Sequence, residues 1–340
     1  MRCWSVGRGR GHGWSEGPSA AQWMGSGSGK SAPLYLLWVP ALVLALVACS
    51  VPNPSPAPVY FPPTLVPLKT ATPTATAPPT STATPAPPPT PSPICADAHG
   101  RVETWTYPSQ VLGREMAYRI YLPPCYGADD RVYPVLYLLH GYPFDERHWD
   151  RLGADELADA GIGSGAYPPF IIVMPNCDPS PEGIFVNTSG GDNSVEGLIV
   201  NELLPHVDRT HRTWAQREGR AIGGISRGGV WSLEIGFRRP DLFAAVGAHS
   251  AALSANYPHP AYDPLNLAAE PAVASLRIWL DAGDADWAWA GVEGLHRVLE
   301  EHNVAHEYVV GEGAHSDEYW ARMLPAYLAF YVAGWRAGGQ

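Results

Sequence analysis

Basic residues are in short supply: 22 Lys and Arg stand against 33 Asp and Glu, for a formal net charge of −11. A protein that grips nucleic acid needs a basic stripe, so that class of partner is excluded and the acidic balance reads as ordinary solubility. Cysteine is scarce too. Five cysteines are too few to build a disulfide scaffold, and their spacing is not that of a zinc site. The glycine-rich stretch 25–31 fails as a phosphate loop, because the pattern needs Gly five places before Gly29 and Met24 stands there. No internal repeat is present. Long apolar runs are missing as well: the run 34–48 is interrupted by Pro40 and spans roughly 15 residues, short of the roughly 20 a membrane helix needs.

What is plentiful is proline, 36 residues, crowded between Val51 and Pro93. Ahead of that tract, residues 1–30 are Gly/Ser-rich and basic, and the short apolar run then ends in Leu46-Val47-Ala48-Cys49. This order is that of a signal peptide, and its end resembles the lipobox of bacterial lipoproteins, in which the cysteine is lipidated and becomes the new N-terminus. Residues 1–49 are therefore expected to be a signal peptide with Cys49 as the lipidation site; Met24 is an alternative start. The product would be an extracytoplasmic, membrane-anchored lipoprotein, with a plainly secreted protein as the alternative. Residues 50–93, rich in Pro, Thr, Ala and Ser, have little to bury and are expected to be a disordered, semi-stiff spacer.

The remaining segment, 94–340, carries the folded domain. Residues 101–107 and 111–122 alternate apolar and polar positions, as two strands of a hairpin turning near 108–110. Such a turn sets Cys95 and Cys125 almost opposite one another, so in an oxidising compartment they are expected to bridge, leaving Cys177 buried and unpaired. Short apolar strands are then expected at 134–139, 170–174, 220–225, 243–248, 276–282 and 306–310. Helical patterns over 149–160, 195–210, 228–237, 287–302 and 317–335 fall between and after them. Strands alternating with helices imply an α/β fold: a mostly parallel sheet covered on both faces, with the antiparallel hairpin at its N-terminal side.

Chemistry concentrates at Gly224-Ile225-Ser226-Arg227-Gly228, a G-x-S-x-G pattern between a strand and a helix. The glycines permit a sharp turn, which exposes the serine hydroxyl at its tip and leaves the next backbone N–H free to face an oxyanion. A serine needs a base, and the base an orienting carboxylate, in the chain order Ser, acid, His for this topology. His315, in the loop after the last strand, is the expected base. His249 also follows a strand but precedes the acid, and His296, His302 and His306 fall on a helix or open a strand. Asp281, Asp284 and Asp286 share one loop. Asp281 reads as structural, and the spacing leaves Asp284 and Asp286 both open as the acid.

Four blocks in order, Tyr133-Pro134-Val135-Leu136-Tyr137-Leu138-Leu139-His140-Gly141-Tyr142, the Ser226 elbow, Gly283-Asp284-Ala285-Asp286 and Gly313-Ala314-His315, resemble the "Putative esterase" family of α/β-hydrolases. That branch includes feruloyl esterases, siderophore esterases, S-formylglutathione hydrolases and mycolyltransferases. The resemblance implies an α/β-hydrolase fold over 94–340, a Ser226–His315–Asp286 triad with Asp284 as the alternative acid, and an oxyanion hole from the N–H groups of Tyr142 and Arg227. It implies a serine hydrolase of carboxylic esters that needs no metal or cofactor. Arg227 stands where this family often has Met, so a guanidinium is expected beside the site, either favouring anionic substrates or pairing with an acid. The expected partner is a small-molecule or carbohydrate-linked ester, with Tyr142, Trp231, Tyr257 and Trp287 as candidate pocket walls. An acyltransferase using the same triad, and a non-catalytic binding lipoprotein, are the alternative readings.

Overall fold

The computed structural model describes residues 95, 97–177, 190–255 and 258–336. The leader, Cys49, the linker and Tyr257 lie outside the described residues.

The alternating segment forms the expected hairpin, β1 (Arg101–Ser109) and β2 (Arg114–Leu122), paired in register from Arg101 opposite Leu122 to Ser109 opposite Arg114. Just outside its open end, Cys95 and Cys125 form a disulfide with their Cα atoms 5.6 Å apart, and Cys177 is free and buried. The chain continues through β3 (Val135–Leu139), α1 (His148–Arg151), α2 (Ala154–Gly163) and β4 (Ile171–Pro175). Next come α3 (Val195–Gly197), a π-helical stretch (Leu198–Leu203) and α4 (Leu204–Thr210). The second half runs β5 (Arg220–Ile225), α5 (Arg227–Arg238), β6 (Ala245–His249), α6 (Pro264–Leu267), β7 (Arg277–Gly283), α7 (Trp289–Glu301), β8 (Glu307–Gly311) and α8 (Asp317–Arg336).

The eight strands form one sheet in the order β1-β2-β4-β3-β5-β6-β7-β8. The β1–β2 and β2–β4 pairs are antiparallel and the others parallel. The unbroken apolar runs of β3 and β4 follow from burial on both faces. Along β3, Val135, Tyr137 and Leu139 enter one core with Val230 and Leu233 of α5 and Leu295 of α7. Leu136 and Leu138 point the other way, into a second core with Ala154 and Ala158 of α2 and Leu324 and Leu328 of α8. This is an α/β-hydrolase fold. Two helices differ from expectation in detail: 149–160 is split between α1 and α2, because Gly153 stands at φ 90°, a conformation that ends one helix before the next begins, and 195–210 is wound as α3, the π-helical stretch and α4 in succession.

Candidate active site

Three loops leave the carboxyl ends of the parallel strands and meet. Ser226 sits between the last residue of β5 and the first of α5, at φ 57°, ψ −115°. A residue with a side chain holds that left-handed conformation only under tertiary constraint, and the constraint is visible. The Ser226 N–H donates to the His249 carbonyl at 2.8 Å, and its own carbonyl accepts from Gly229 and Ala252 at 3.1 and 3.0 Å. The turn also needs both flanking glycines: a Cβ on Gly224 would lie 2.3 Å from the Gly228 carbonyl, and one on Gly228 2.4 Å from the Leu139 oxygen.

His315 Nε2 is 2.9 Å from Ser226 Oγ, and its Nδ1 is 2.8 Å from Asp286 Oδ1. Asp286 is buried and also accepts the Ala288 N–H at 2.7 Å. Burial alone would raise the pKa of this carboxyl. Hydrogen bonds from His315, Ser250 and the Ala288 amide outweigh it and hold the group below its ordinary value. Asp284 is exposed and does something different: its Oδ1 accepts the Gly313 N–H at 2.9 Å while its own N–H donates to Gly311 at 2.7 Å. With Ala285 N–H donating to the Gly313 carbonyl at 2.9 Å, these bonds zip the loop after β7 to the loop after β8. The zipper carries Asp286 and His315 to one place.

The other candidates fall elsewhere. Asp281 is fully buried and accepts from His249, Trp279, Tyr319 and Tyr327 at 2.7–2.9 Å, so His249 is engaged inside the core and stacks on Tyr327. His296 and His306 hydrogen-bond each other at 2.7 Å, and His302 is exposed.

On the far side of Ser226 runs Gly141, where an added Cβ would touch the Ser226 Cβ at 3.2 Å. Its carbonyl accepts from His140 Nδ1 at 2.8 Å and from the Phe144 N–H at 3.0 Å. His140 Nε2 in turn accepts the Cys177 N–H at 2.9 Å, which assigns the ring proton to Nδ1. Burial presses its pKa down to about 4, so it stays neutral. In a planar trans peptide the N–H opposes the C=O, so two donors on the Gly141 carbonyl fix the direction of the Tyr142 N–H. His140 in this role was not read from the sequence, although its place before Gly141 was the available signal.

Arg227 opens α5, the end of a helix where the dipole favours negative charge. Its side chain is buried, with the guanidinium 5.0 Å from the Tyr142 ring centre and 4.9 Å from that of Trp231. The guanidinium is thus beside the site, held between two aromatic faces. Trp231 is buried, whereas Tyr142 and Trp287 are about half exposed, and the Trp287 ring lies 4.5 Å from that of His315. Among the described residues no group of three or more His, Cys, Asp or Glu is arranged to hold a metal ion.

A serine at a strained turn after the fifth strand, hydrogen-bonded to a histidine and through it to an aspartate from loops after later strands, is the arrangement found in the class of the α/β-hydrolase enzymes. Residues 109–331 match the family model described as "Putative esterase", and the chain belongs to that family. It is 30% identical over 241 residues to an endo-1,4-beta-xylanase/feruloyl esterase of Xylanibacter ruminicola, covering 66% of this chain and 30% of that protein. It is 32% identical over 159 residues to Esterase Rv1288 of Mycobacterium tuberculosis, covering 45% of this chain and 33% of the relative. The chain thus spans about a third of the length of these curated relatives. Among solved structures it resembles a ferulic acid esterase at TM-score 0.62 and 27% identity, covering 69% of this chain and 99% of that one. It shares the fold of the S-formylglutathione hydrolase of Staphylococcus aureus at TM-score 0.58 and 20% identity, covering 69% of this chain and 99% of that one.

Proposed function

We propose that this chain is an extracytoplasmic serine esterase that cleaves carboxylic esters through Ser226, His315 and Asp286. The observation that carries the reading is His315, hydrogen-bonded through one ring nitrogen to Ser226 and through the other to a buried carboxylate. Ser226 Oγ attacks the acyl carbon while His315 Nε2 takes its proton. Asp286 holds the Nδ1 proton and balances the imidazolium that forms. The backbone N–H groups of Tyr142 and Arg227 receive the oxyanion, where each such donor is worth on the order of 10²–10³ in rate. His315 then protonates the departing alcohol. Water, deprotonated by the same histidine, attacks the acyl-enzyme and releases the acid and free Ser226.

The kinship with proteins named as feruloyl esterases supports an aromatic acyl ester carried on a carbohydrate as the substrate. The exposed rings of Tyr142 and Trp287 beside Ser226 and His315 suit such an acyl group. The leader ending at Cys49 and the Pro/Thr-rich spacer support export and tethering to the outer side of a membrane, and a disulfide in the folded domain fits an oxidising compartment.

The test is hydrolysis of p-nitrophenyl acetate and butyrate by the wild type beside Ser226→Ala. Wild-type turnover that falls by about 10⁶-fold in the variant supports the reading; equal turnover by both proteins sinks it.

A further inference from the structure

The strands that lead to the two proposed oxyanion donors are neighbours, and their ladder stops short of those donors. β3 pairs parallel with β5, and the last pair of that ladder is Leu139 with Gly224. Tyr142 and Arg227 each stand three residues beyond it, so both backbone N–H groups lie past the end of the ladder, one in the loop after β3 and one at the start of α5. Two hydrogen bonds on the Gly141 carbonyl, from His140 and Phe144, fix which way the Tyr142 N–H points. Direction is not spacing. Both donors must meet one oxygen at about 2.7–3.1 Å, so the gap between the loop and the helix has to be held as well.

The Arg227 side chain spans that gap. Trp231 lies four residues on in α5, on the same face of the helix, and the guanidinium packs 4.9 Å from the centre of its ring. Trp231 is 2% exposed, which makes it a fixed post. Across the gap the same guanidinium is 5.0 Å from the ring centre of Tyr142. Tyr142 is 48% exposed, so the core grips little of its ring and the guanidinium contact counts for much of its hold. Arg227 itself is buried, and a cation over an aromatic face is worth more where water is excluded. Its planar fork stacks on rings as a compact ammonium does not. One residue thus supplies one donor by its backbone and steadies the other by its side chain.

We propose that Arg227 is a positioning residue of the oxyanion hole, its guanidinium stacked between Trp231 and Tyr142 to set the spacing of the Tyr142 and Arg227 N–H groups. This role rests on the proposed function and adds to it the work of one side chain. Substitution of Arg227 leaves its backbone N–H in place, so what is lost is alignment. Acylation and deacylation each pass through an oxyanion, so both slow together; kcat falls and KM stays.

Steady-state kinetics of the full chain on p-nitrophenyl butyrate, in a double-mutant cycle of Arg227→Met and Tyr142→Leu, test the role. Each single change is expected to lower kcat at least about tenfold with KM held within about twofold. The double variant should fall no further than the worse single, because both changes remove the same contact. Arg227→Lys keeps the charge and should lose less than Arg227→Met. Losses that multiply in the double variant overturn the proposal, as does an unchanged kcat or a loss carried by KM. A rise in KM confined to mono-p-nitrophenyl succinate also overturns it, since Arg227 would then be a receptor for an anionic acyl group. If Arg227→Met melts below the assay temperature, Arg227→Lys replaces it in the cycle, with a loss that does not multiply still required. Turnover that survives Ser226→Ala strikes the esterase reading itself; turnover that needs Ser226, together with multiplying losses, strikes the role of Arg227 alone.

Discussion

Two aspartates two residues apart do different work, and the difference is a matter of which hydrogen each can reach. Asp286 meets His315, while Asp284 meets the backbone of the loop that carries His315. Asp286→Asn should therefore lower kcat by about 10⁴-fold, since an amide opposite Nδ1 favours the wrong tautomer. Asp284→Asn should cost no more than about 10²-fold, through misplacement of the loop. Kinetics of both variants on p-nitrophenyl butyrate check the order, and a reversed ranking makes Asp284 the acid. The pH dependence carries a sign. The pKa of Asp286 is depressed from its ordinary 3.8, so the ionised carboxylate adds stability above that pH and loses it as pH falls through the lower folded value. At this scale the sequence was legible as far as residue order and loop position. Spacing alone left Asp284 and Asp286 equivalent, because both lie in one loop after β7. What separates them is the pairing of that loop with the one after β8, a consequence of strand register that local sequence does not display.

Among the elements, α5 carries the most, since it begins right after Ser226, the proposed nucleophile, and is packed along one face of the sheet. Two turns in, Glu234 is buried against Gly190 and Glu196, with Arg238 one turn further bonded to Glu196 at 3.0 Å. Burial, and then the charge of Glu196, push the Glu234 pKa up to about 9. A carboxyl with a folded pKa above its ordinary 4.5 binds its proton more tightly folded than unfolded. Stability must then fall as pH rises from about 4.5 to about 9 and level off beyond. Glu234→Gln keeps the shape and removes the titration. Between pH 5 and pH 9 the variant should lose at least about 1 kcal/mol less than the wild type, or about 2–4 °C in Tm. Thermal melts at the two pH values decide it; parallel losses would mean that Glu234 is ionised in the folded protein. The strands were the legible elements, because burial on both faces writes an unbroken apolar run, as in β3 and β4. The helices were legible in place but not in detail. Gly153 splits one, and the stretch before Pro205 is wound as a π-helix around a residue with no N–H to donate. Hydrophobic spacing reports neither.

For the whole molecule, the question is what fastens the front of the folded domain to a sheet that closes some two hundred residues later in the chain. The β1–β2 hairpin joins the parallel strands of the sheet through the β2–β4 pair, and among the described residues the segment ahead of β1 has one covalent hold, the bridge from Cys95 to Cys125. A bridge enclosing a separation of 30 residues removes unfolded-state freedom worth about 2–4 kcal/mol. It lies at the open end of the hairpin, whereas Ser226, Asp286 and His315 sit on loops after β5, β7 and β8. Stability and turnover should therefore separate. The Cys95→Ser, Cys125→Ser double variant is expected to lose about 2–4 kcal/mol in urea unfolding while keeping its p-nitrophenyl acetate turnover at 25 °C. The wild type unfolded with a thiol reductant present should follow the variant. An unchanged unfolding midpoint would show that the bridge adds nothing to the stability of the fold.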